Sequence, residues 1–300
     1  MRATTWTNIG KEAVGTNVVD VLTNAGLNYE VAKKPIYTKF EDGKDILISD
    51  KVATVRTDTN EILGVVSPKY QVCQNTEAFE FIDEIDNVEF VKVGQTNTGM
   101  VYLIGKLPDV AVLGDTFTPY VIFQNGHNGL YTVKTTICPL RIVCQNQFNM
   151  AFRDSANTIS IQHSKQYNAK IAEAKKVITG TARYMQNFGN TAEELATLKI
   201  GTDADVKKII EAFFTASEDA TDRQIANVMA EREELFKAYK ADDNANFTGT
   251  VWGLVNGFSD YITHKDTKNT KNKDENRFMT VTFDPKLFNA FLRHTRQFVV

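Results

Sequence analysis

Two short segments carry the side chains best suited to chemistry. The first is the turn His127-Asn128-Gly129, and the second is the run Arg141-Ile142-Val143-Cys144-Gln145-Asn146. An imidazole, a thiolate and a guanidinium can act as general base, nucleophile and anion-binding group. A composite nuclease-like site of His127, Arg141 and Cys144 is therefore one hypothesis for these segments.

The same residues also have a structural interpretation. Cys144 lies beside Val143 in an apolar stretch, where a buried thiol is common. Arg141 can pair with a carboxylate, and Asn146 can satisfy a strand edge or a neighbouring turn. We favour the structural interpretation for Cys144 and Asn146, and we expect Arg141 to reach outward to phosphate or base edges.

Complete catalytic and cofactor motifs are absent from the sequence. It holds no G-x-x-x-x-G-K-[ST] or G-x-G-x-x-G phosphate loop and no G-x-S-x-G nucleophile motif. It also holds no C-x-x-C pair and no two histidines spaced i, i+4, so no common zinc module is predicted. We therefore expect a protein that is not an enzyme and that needs neither a cofactor nor a metal.

Lysine and arginine side chains that could bind phosphate groups are the second feature of the sequence. A predicted helix over 162–188 carries Lys165, Lys170, Lys175, Lys176 and Arg183. Tyr102, Tyr120 and Tyr131 would stack bases beside this charge if they are exposed on a sheet. A charged helix face is more often simply solvated, and the formal net charge of −3 argues against bulk attraction to nucleic acid.

Hydrophobic periodicity and turn residues predict the elements that position these groups. The clearest block runs from Thr116 to Arg153 as strand, turn, strand and helix, with Pro139 at the first helical position. Strands are predicted at 36–40, 45–48, 52–56, 62–66, 88–93, 100–107, 117–124, 131–136 and 278–283. Helices are predicted at 16–25, 76–85, 140–153, 162–188 (ending near Gly189), 192–198, 205–215, 221–240, 249–264 and 285–297.

This pattern predicts an α+β protein in two halves. The first, residues 1–155, is an antiparallel β-rich core with hairpins and packed helices, and the second, residues 156–300, is mostly helical and packs on it. No stretch reaches about 18 apolar residues, so no membrane contact is expected. Three cysteines without a signal-peptide pattern favour a reducing cytoplasm.

Several segments resemble a phage/plasmid-like protein family that is known mainly as a domain of unknown function. His127-Asn128-Gly129 resembles its His-Asp-Gly, and the run from Arg141 to Asn146 resembles its Arg-Val-Val-Cys-x-Asn signature. The similarity continues at Trp6, Gly10, Ala25-Gly26-Leu27, Tyr70-Gln71-Val72, Asn75, Phe79, Ile161-Gln162-His163, Ala174, Thr250–Asn256 (with Trp252 and Asn256), Tyr261 and His264. Asn128 departs from the family's aspartate, which weakens any catalytic interpretation. The resemblance implies a mobile element in a bacterial host cytoplasm, but no activity.

The order of elements is also similar to the core of single-strand annealing recombination proteins. That similarity implies a basic groove holding a DNA backbone, with Lys134, Arg141, Arg153 and the Lys165–Arg183 helix as candidates, and a homo-oligomer. We therefore expect a phage or plasmid protein that binds single-stranded DNA as a recombination accessory factor. The alternative is a protein-interaction module, such as an inhibitor of a host defence system or an assembly subunit.

Overall fold

Runs of β-branched and aromatic residues form a main antiparallel sheet. The computed structural model describes residues 5–141, 143, 146–148, 150, 158–161 (backbone only), 180–265 and 272–299. Within them the sheet has the strand order β1-β5-β6-β8-β9-β10, with β7 added beside β8 and β11 beside β9. The strands are β1 (Lys11–Glu12), β5 (Glu89–Gln95), β6 (Met100–Lys106), β7 (Val110–Val112), β8 (Asp115–Gly126), β9 (Val133–Arg141), β10 (Asn146–Gln147) and β11 (Thr158–Ile161).

A second antiparallel sheet consists of β2 (Val31–Lys39), β3 (Asp45–Arg56) and β4 (Ile62–Val66). Both predicted N-terminal hairpins are confirmed, and they share the long strand β3. Gly43 has a φ of +83° in the first turn, a conformation that glycine adopts without strain. The β2–β3 register shifts between Pro35 and Ile36, so Ser49–Lys51 of β3 bulge out of the ladder.

Eight α-helices occur among the described residues. They are α1 (Val18–Ala25), α2 (Asn75–Phe79, continued by a 3-10 helix at Glu80–Glu84), α3 (Thr181–Thr197), α4 (Asp203–Phe213), α5 (Asp222–Tyr239), α6 (Val251–His264), α7 (Lys273–Phe283) and α8 (Lys286–Gln297). A 3-10 helix at Asp242–Phe247 connects α5 to α6. Asn17, Thr202, Thr221 and Thr250 cap the helices that follow them.

Both faces of the main sheet are covered. On β6, Val101 and Leu103 pack against α1 and α2, whereas Tyr102 and Ile104 pack on the opposite face with Trp6. Phe278 of α7 belongs to that second cluster. Farther along the first face, Phe117 and Ile137 join the largest core, which α3–α6 and α8 supply. The fold is therefore α+β, as predicted, with the helical half packed on the β-rich half.

Helix α6 lies at the centre of the helical half. Thr250 caps it by accepting from Gly253 N at 3.0 Å. A Cβ at Gly253 would lie 2.1 Å from Phe247 O, and one at Gly257 would lie 2.7 Å from Tyr239 Cα. These two glycines let α6 approach the backbone of α5 and the adjoining 3-10 helix closely.

The predicted helix over 140–153 is wrong where the structure describes it. Pro139 lies inside β9 opposite Pro119, and Arg141 pairs with Asn146 of β10. Two opposed prolines fit because their carbonyls accept from Leu107 N and Phe148 N, while neither position needs to donate. Residues beyond 155 also return to the main sheet as β11, past the predicted boundary between the two halves.

Two further predictions are wrong in the helical half. Residues 278–283 belong to α7, because Phe278, Val281 and Thr282 are buried at the i, i+3, i+4 spacing of one helical face. Gly189 does not end a helix, since α3 continues through it to Thr197. The remainder of the predicted helix over 162–188, up to residue 179, lies outside the described residues.

Candidate functional site

The His127 turn is anchored in a buried polar network. The His127 side chain is 2% exposed, and its Nε2 lies 3.1 Å from Asn75 Oδ1. Asn125 Nδ2 donates to the same oxygen at 3.0 Å, while Asn75 Nδ2 donates to Leu27 O at 2.9 Å. Because that amide oxygen can only accept, His127 must carry a proton on Nε2. The network ties β8 to α2 and to the segment after α1.

The same turn joins the two sheets. Thr54 Oγ1 of β3 donates to His127 O at 2.6 Å, and Tyr70 OH donates to Gly126 O at 2.9 Å. Asn128 Nδ2 donates to Thr98 O at 2.7 Å, in the turn between β5 and β6. A Cβ at Gly64 of β4 would lie 2.4 Å from Asn128 Cα. The turn therefore acts as a structural junction, and Asn128 uses a donor that an aspartate would lack.

Arg141 forms a buried clamp. Its Nε donates to Asp115 Oδ2 at 2.8 Å, and its Nη2 donates to Asp243 O at 2.8 Å. The guanidinium lies 5.6 Å from the Phe247 ring centroid, and the residue is 2% exposed. The expectation that Arg141 reaches outward is therefore wrong. It joins β9 to β8 and to the 3-10 helix before α6.

Three further signature residues that the structure describes are also buried, whereas Gly129 in the turn is exposed. Asn146 is 2% exposed on β10, and Trp252 and Asn256 are each 1% exposed on α6. Trp252 stacks on Phe148 with ring centroids 5.6 Å apart. Ser259 Oγ donates to Gln147 O at 2.9 Å, which fixes α6 against β10. Cys144 lies outside the described residues.

The composite site does not assemble from His127 and Arg141. Arg141 is opposite Phe117 at the start of β8, and His127 comes ten residues farther along the chain. At about 3.3 Å per residue the two ends of the strand are roughly 33 Å apart. One substrate atom cannot reach both side chains, so this pairing provides no active site within one chain.

The predicted basic groove is not formed by its described members. Lys134 is half-buried, 5.0 Å from the Phe283 ring centroid, and burial lowers the pKa of its ammonium. Arg141 is enclosed, as above, and Arg183 is exposed on α3. Outside the described residues lie Arg153, Lys165, Lys170, Lys175 and Lys176.

The proposed stacking platform on the main sheet is wrong for two of its three tyrosines. Tyr102 is 1% exposed and Tyr120 is 9% exposed, because α7 and the segment around Trp6 cover that face. Tyr131 is half-buried, and its hydroxyl lies 2.6 Å from Thr98 Oγ1. The described part of the main sheet is covered on both faces and therefore offers no surface for bases.

Sequence reasoning predicted the first N-terminal hairpin but missed that it projects with exposed aromatic and basic residues. We call the segment Ile36–Ile48 the arm. Beyond the bulge, Ile36–Lys39 pairs only with Asp45–Ile48, and the turn Phe40–Lys44 closes it. At about 3.3 Å per residue, the arm extends roughly 16 Å from Pro35. Its exposed apolar side chains are Tyr37, Phe40, Ile46 and Leu47, each 51–54% exposed.

The two faces of the arm differ. Tyr37 lies directly opposite Leu47, with Lys39 and Asp45 as the next pair on that face. Ile36 opposite Ile48 and Thr38 opposite Ile46 form the other face. Exposed lysines, Lys33, Lys34 and Lys51, surround the root. Apolar residues on both faces of a two-stranded ribbon are the signal that the sequence offered, since such a ribbon has no core to bury them.

Membrane and metal interpretations find no support in the described part of the chain. None of its helices is long and apolar enough to cross a bilayer. Within the same ranges, no group of three or more histidine, cysteine or acidic side chains is arranged to hold a metal ion.

The fold is therefore that of an α+β domain whose main antiparallel sheet is covered on both faces, with the family-like residues buried at its junctions. A family model described as "Domain of unknown function (DUF932)" matches residues 62–282, and the chain therefore belongs to the DUF932 family. No curated protein and no solved structure matches the chain.

Proposed function

We propose that the protein is a non-enzymatic factor that binds single-stranded nucleic acid along its arm. The observation that carries this proposal is the exposed Tyr37–Leu47 pair with Lys39 on the same face. An exposed ring beside a cation suits a strand whose bases stack and whose phosphates are neutralised. A phage or plasmid accessory role in DNA recombination, within a bacterial cytoplasm, is consistent with such binding.

Single strands are preferred in this proposal because stacking on Tyr37 needs an unpaired base. Lys39 lies next to that ring, and Lys34 and Lys51 lie at the arm root, where the strand backbone would pass. The net charge of −3 favours a local contact over general attraction. Affinity then depends on a few phosphate contacts and decreases with salt.

Fluorescence anisotropy with a labelled oligothymidine tests the proposal. Binding is expected at about 50 mM salt and should weaken by an order of magnitude or more at about 200 mM. Tyr37→Ala should weaken it about tenfold, because stacking contributes about 1–3 kcal/mol per base. Lys39→Ala should reduce the steepness with which the logarithm of the binding constant falls against the logarithm of the salt concentration by about one.

Matched controls separate the arm from the rest of the surface. Phe298 is a 48% exposed aromatic on the C-terminal segment, and Lys286 is an exposed lysine on α8. Phe298→Ala and Lys286→Ala should leave binding unchanged. Absence of binding by micromolar wild-type protein at low salt would overturn the proposal, as would equal losses in the controls.

The second candidate is a protein-interaction module, favoured by the exposed Ile46 on the other face of the arm. Contiguous exposed apolar residues commonly mark protein interfaces. Recovery of a stoichiometric host protein in a nuclease-treated pull-down, lost on Ile46→Glu, supports this candidate. Retention of that partner by Ile46→Glu would contradict it.

A further inference from the structure

A cavity lies in the helical half, away from the arm and the buried signature. It has a volume of about 320 Å³ and is bounded by α5, α6, α7 and α8. Its apolar lining is Phe214, Ile262, Val281, Leu287 and Phe288. This size is at the lower end of the range for small-ligand pockets, and it exceeds the roughly 150 Å³ that holds a benzene ring.

Charged groups of both signs surround this cavity. Lys265 Nζ contacts Glu231 and donates to Tyr261 OH at 2.8 Å. On another side, Arg277 pairs with Asp274 at 2.9 Å, and Asp284 contributes to the lining. A segment that is complementary to this site would therefore carry an apolar group for the cavity, flanked by residues of both charges.

The arm tip has this composition. Phe40 is 52% exposed and is followed by Glu41 and Asp42, with Lys39 before it and Lys44 closing the turn. Phe40 N donates to Lys44 O at 3.0 Å, and Gly43 N donates to Phe40 O at 2.9 Å. These hydrogen bonds define the turn that presents the ring.

We propose that Phe40 of one copy enters this cavity on a second copy. The phenyl ring fills the apolar floor, where Phe288 and Val281 replace water around it. Glu41 and Asp42 face Lys265 and Arg277, while Lys44 faces Glu231 and Asp284. The proposal commits to a second copy because this chain carries both an exposed phenyl ring flanked by charges and a cavity that is large enough for it and bordered by charges of both signs.

The proposed contact is heterologous, because the arm tip and the cavity are different surfaces. Each copy offers one of each, so the contact repeats head to tail and produces rings or filaments. It uses Phe40 in the turn of the arm, whereas Tyr37 and Leu47 lie opposite each other in the paired strands. The proposal does not depend on nucleic-acid binding.

Sedimentation velocity on nuclease-treated, nucleic-acid-free protein tests the contact. The wild-type chain should associate with increasing concentration. Phe40→Glu should weaken association at least about thirtyfold, as expected for a buried aromatic anchor. Thr280→Trp should do the same from the other side, since Thr280 is an exposed residue of α7 at the cavity.

Mixing the two variants provides the decisive part of the experiment. Phe40→Glu keeps an intact cavity, and Thr280→Trp keeps an intact arm, so an equimolar mixture should form a one-to-one complex. Phe298→Ala, in a distant exposed aromatic, should associate like the wild type. Leu287→Glu provides a second block of the cavity if Thr280→Trp does not fold, as judged by circular dichroism.

Three results would overturn the proposal. The first is a wild-type chain that stays monomeric across the micromolar range. The second is association that survives both Phe40→Glu and a folded cavity variant. The third is a mixture of the two variants that remains monomeric although each variant is folded.

Discussion

The buried signature and the exposed arm are opposite in character. His127 and Arg141, on which the catalytic hypothesis depended, are each 2% exposed and held by protein hydrogen bonds. Tyr37 and Phe40, which carry no recognisable motif, are more than half exposed. The residues that resemble a family motif hold the fold together, whereas the residues without a motif are placed to meet a partner.

The family match follows the same division. It covers residues 62–282, which include the His127 turn, the Arg141 clamp and α6, but it does not include the arm. Membership of the DUF932 family therefore concerns the scaffold and the junctions within it. The surface that we propose for binding must be tested on this chain itself, because the family model does not match the arm.

Removal of the Arg141 clamp should have the largest effect. Arg141→Ala leaves Asp115 without its ion pair and Asp243 O without its donor, and such losses cost about 3–5 kcal/mol. Urea unfolding measures the change. Arg183→Ala, at an exposed position on α3, should change the free energy of unfolding by less than about 0.5 kcal/mol. Similar values for both arginines would contradict the structural assignment of Arg141.

The rate of cysteine alkylation should differ strongly between the core and the arm. Burial raises the pKa of the Cys138 thiol from 9.0 to about 12. Since the thiolate is the nucleophile, its fraction at pH 8 should be about a thousandfold lower than for an unperturbed thiol. Peptide mapping after brief alkylation of a Thr38→Cys variant should find the introduced arm thiol modified and Cys138 unmodified. Equal modification of both thiols in folded protein would break the comparison.

The junction between the sheets should be sensitive to one methyl group. Gly64→Ala would place a Cβ 2.4 Å from Asn128 Cα, and such overpacking costs about 1–3 kcal/mol. Gly189 is the matched control, because its nearest neighbour, Val112 Cγ2, is 4.0 Å from the added Cβ. Gly189→Ala should stabilise α3 by about 0.5–1 kcal/mol. An unchanged midpoint for Gly64→Ala in chemical unfolding would show that the turn does not dock on β4.

Loss of the arm should have the smallest effect on stability. Replacing residues 37–47 by Asn-Gly joins Ile36 to Ile48, which already pair, through a two-residue hairpin turn. The free energy of unfolding should change by less than about 0.5 kcal/mol, because few buried contacts are lost. Oligonucleotide binding and self-association should both disappear. A large loss of stability would mean that the arm belongs to the scaffold.

Local patterns predicted much of this fold. The hairpin turns and the helices α4, α5, α6 and α8 follow from signals within a few residues of each element. The failures have a different origin. Pro139 suits a helix start locally, but β9 continues past the predicted strand end at 136 and pairs with β8 as far as Arg141, which places Pro139 opposite Pro119. Phe278–Phe283 has a β-like composition, but burial of Phe278 against Tyr102 selects the helix.

The site was harder to predict than the fold. Burial of Arg141 depends on Asp243, 102 residues away, and no local pattern reveals that contact. Tyr102 and Tyr120 lie on the same face of the main sheet, and α7, far along the chain, covers that face. The arm left a local signal in its apolar residues on both faces, but periodicity analysis assigns such residues to a core.

One strand, β3, belongs to both regions, and this has a consequence for dynamics. Its inner part pairs with β2 and β4, and Thr54 there holds His127, whereas its outer part pairs with β2 alone. A two-stranded ribbon is marginally stable in water, so amide hydrogens at 45–48 should exchange far faster than those at 53–55. Binding of a partner to the arm must then offset the free-energy cost of ordering it. This cost lowers the affinity but permits rapid exchange between partners.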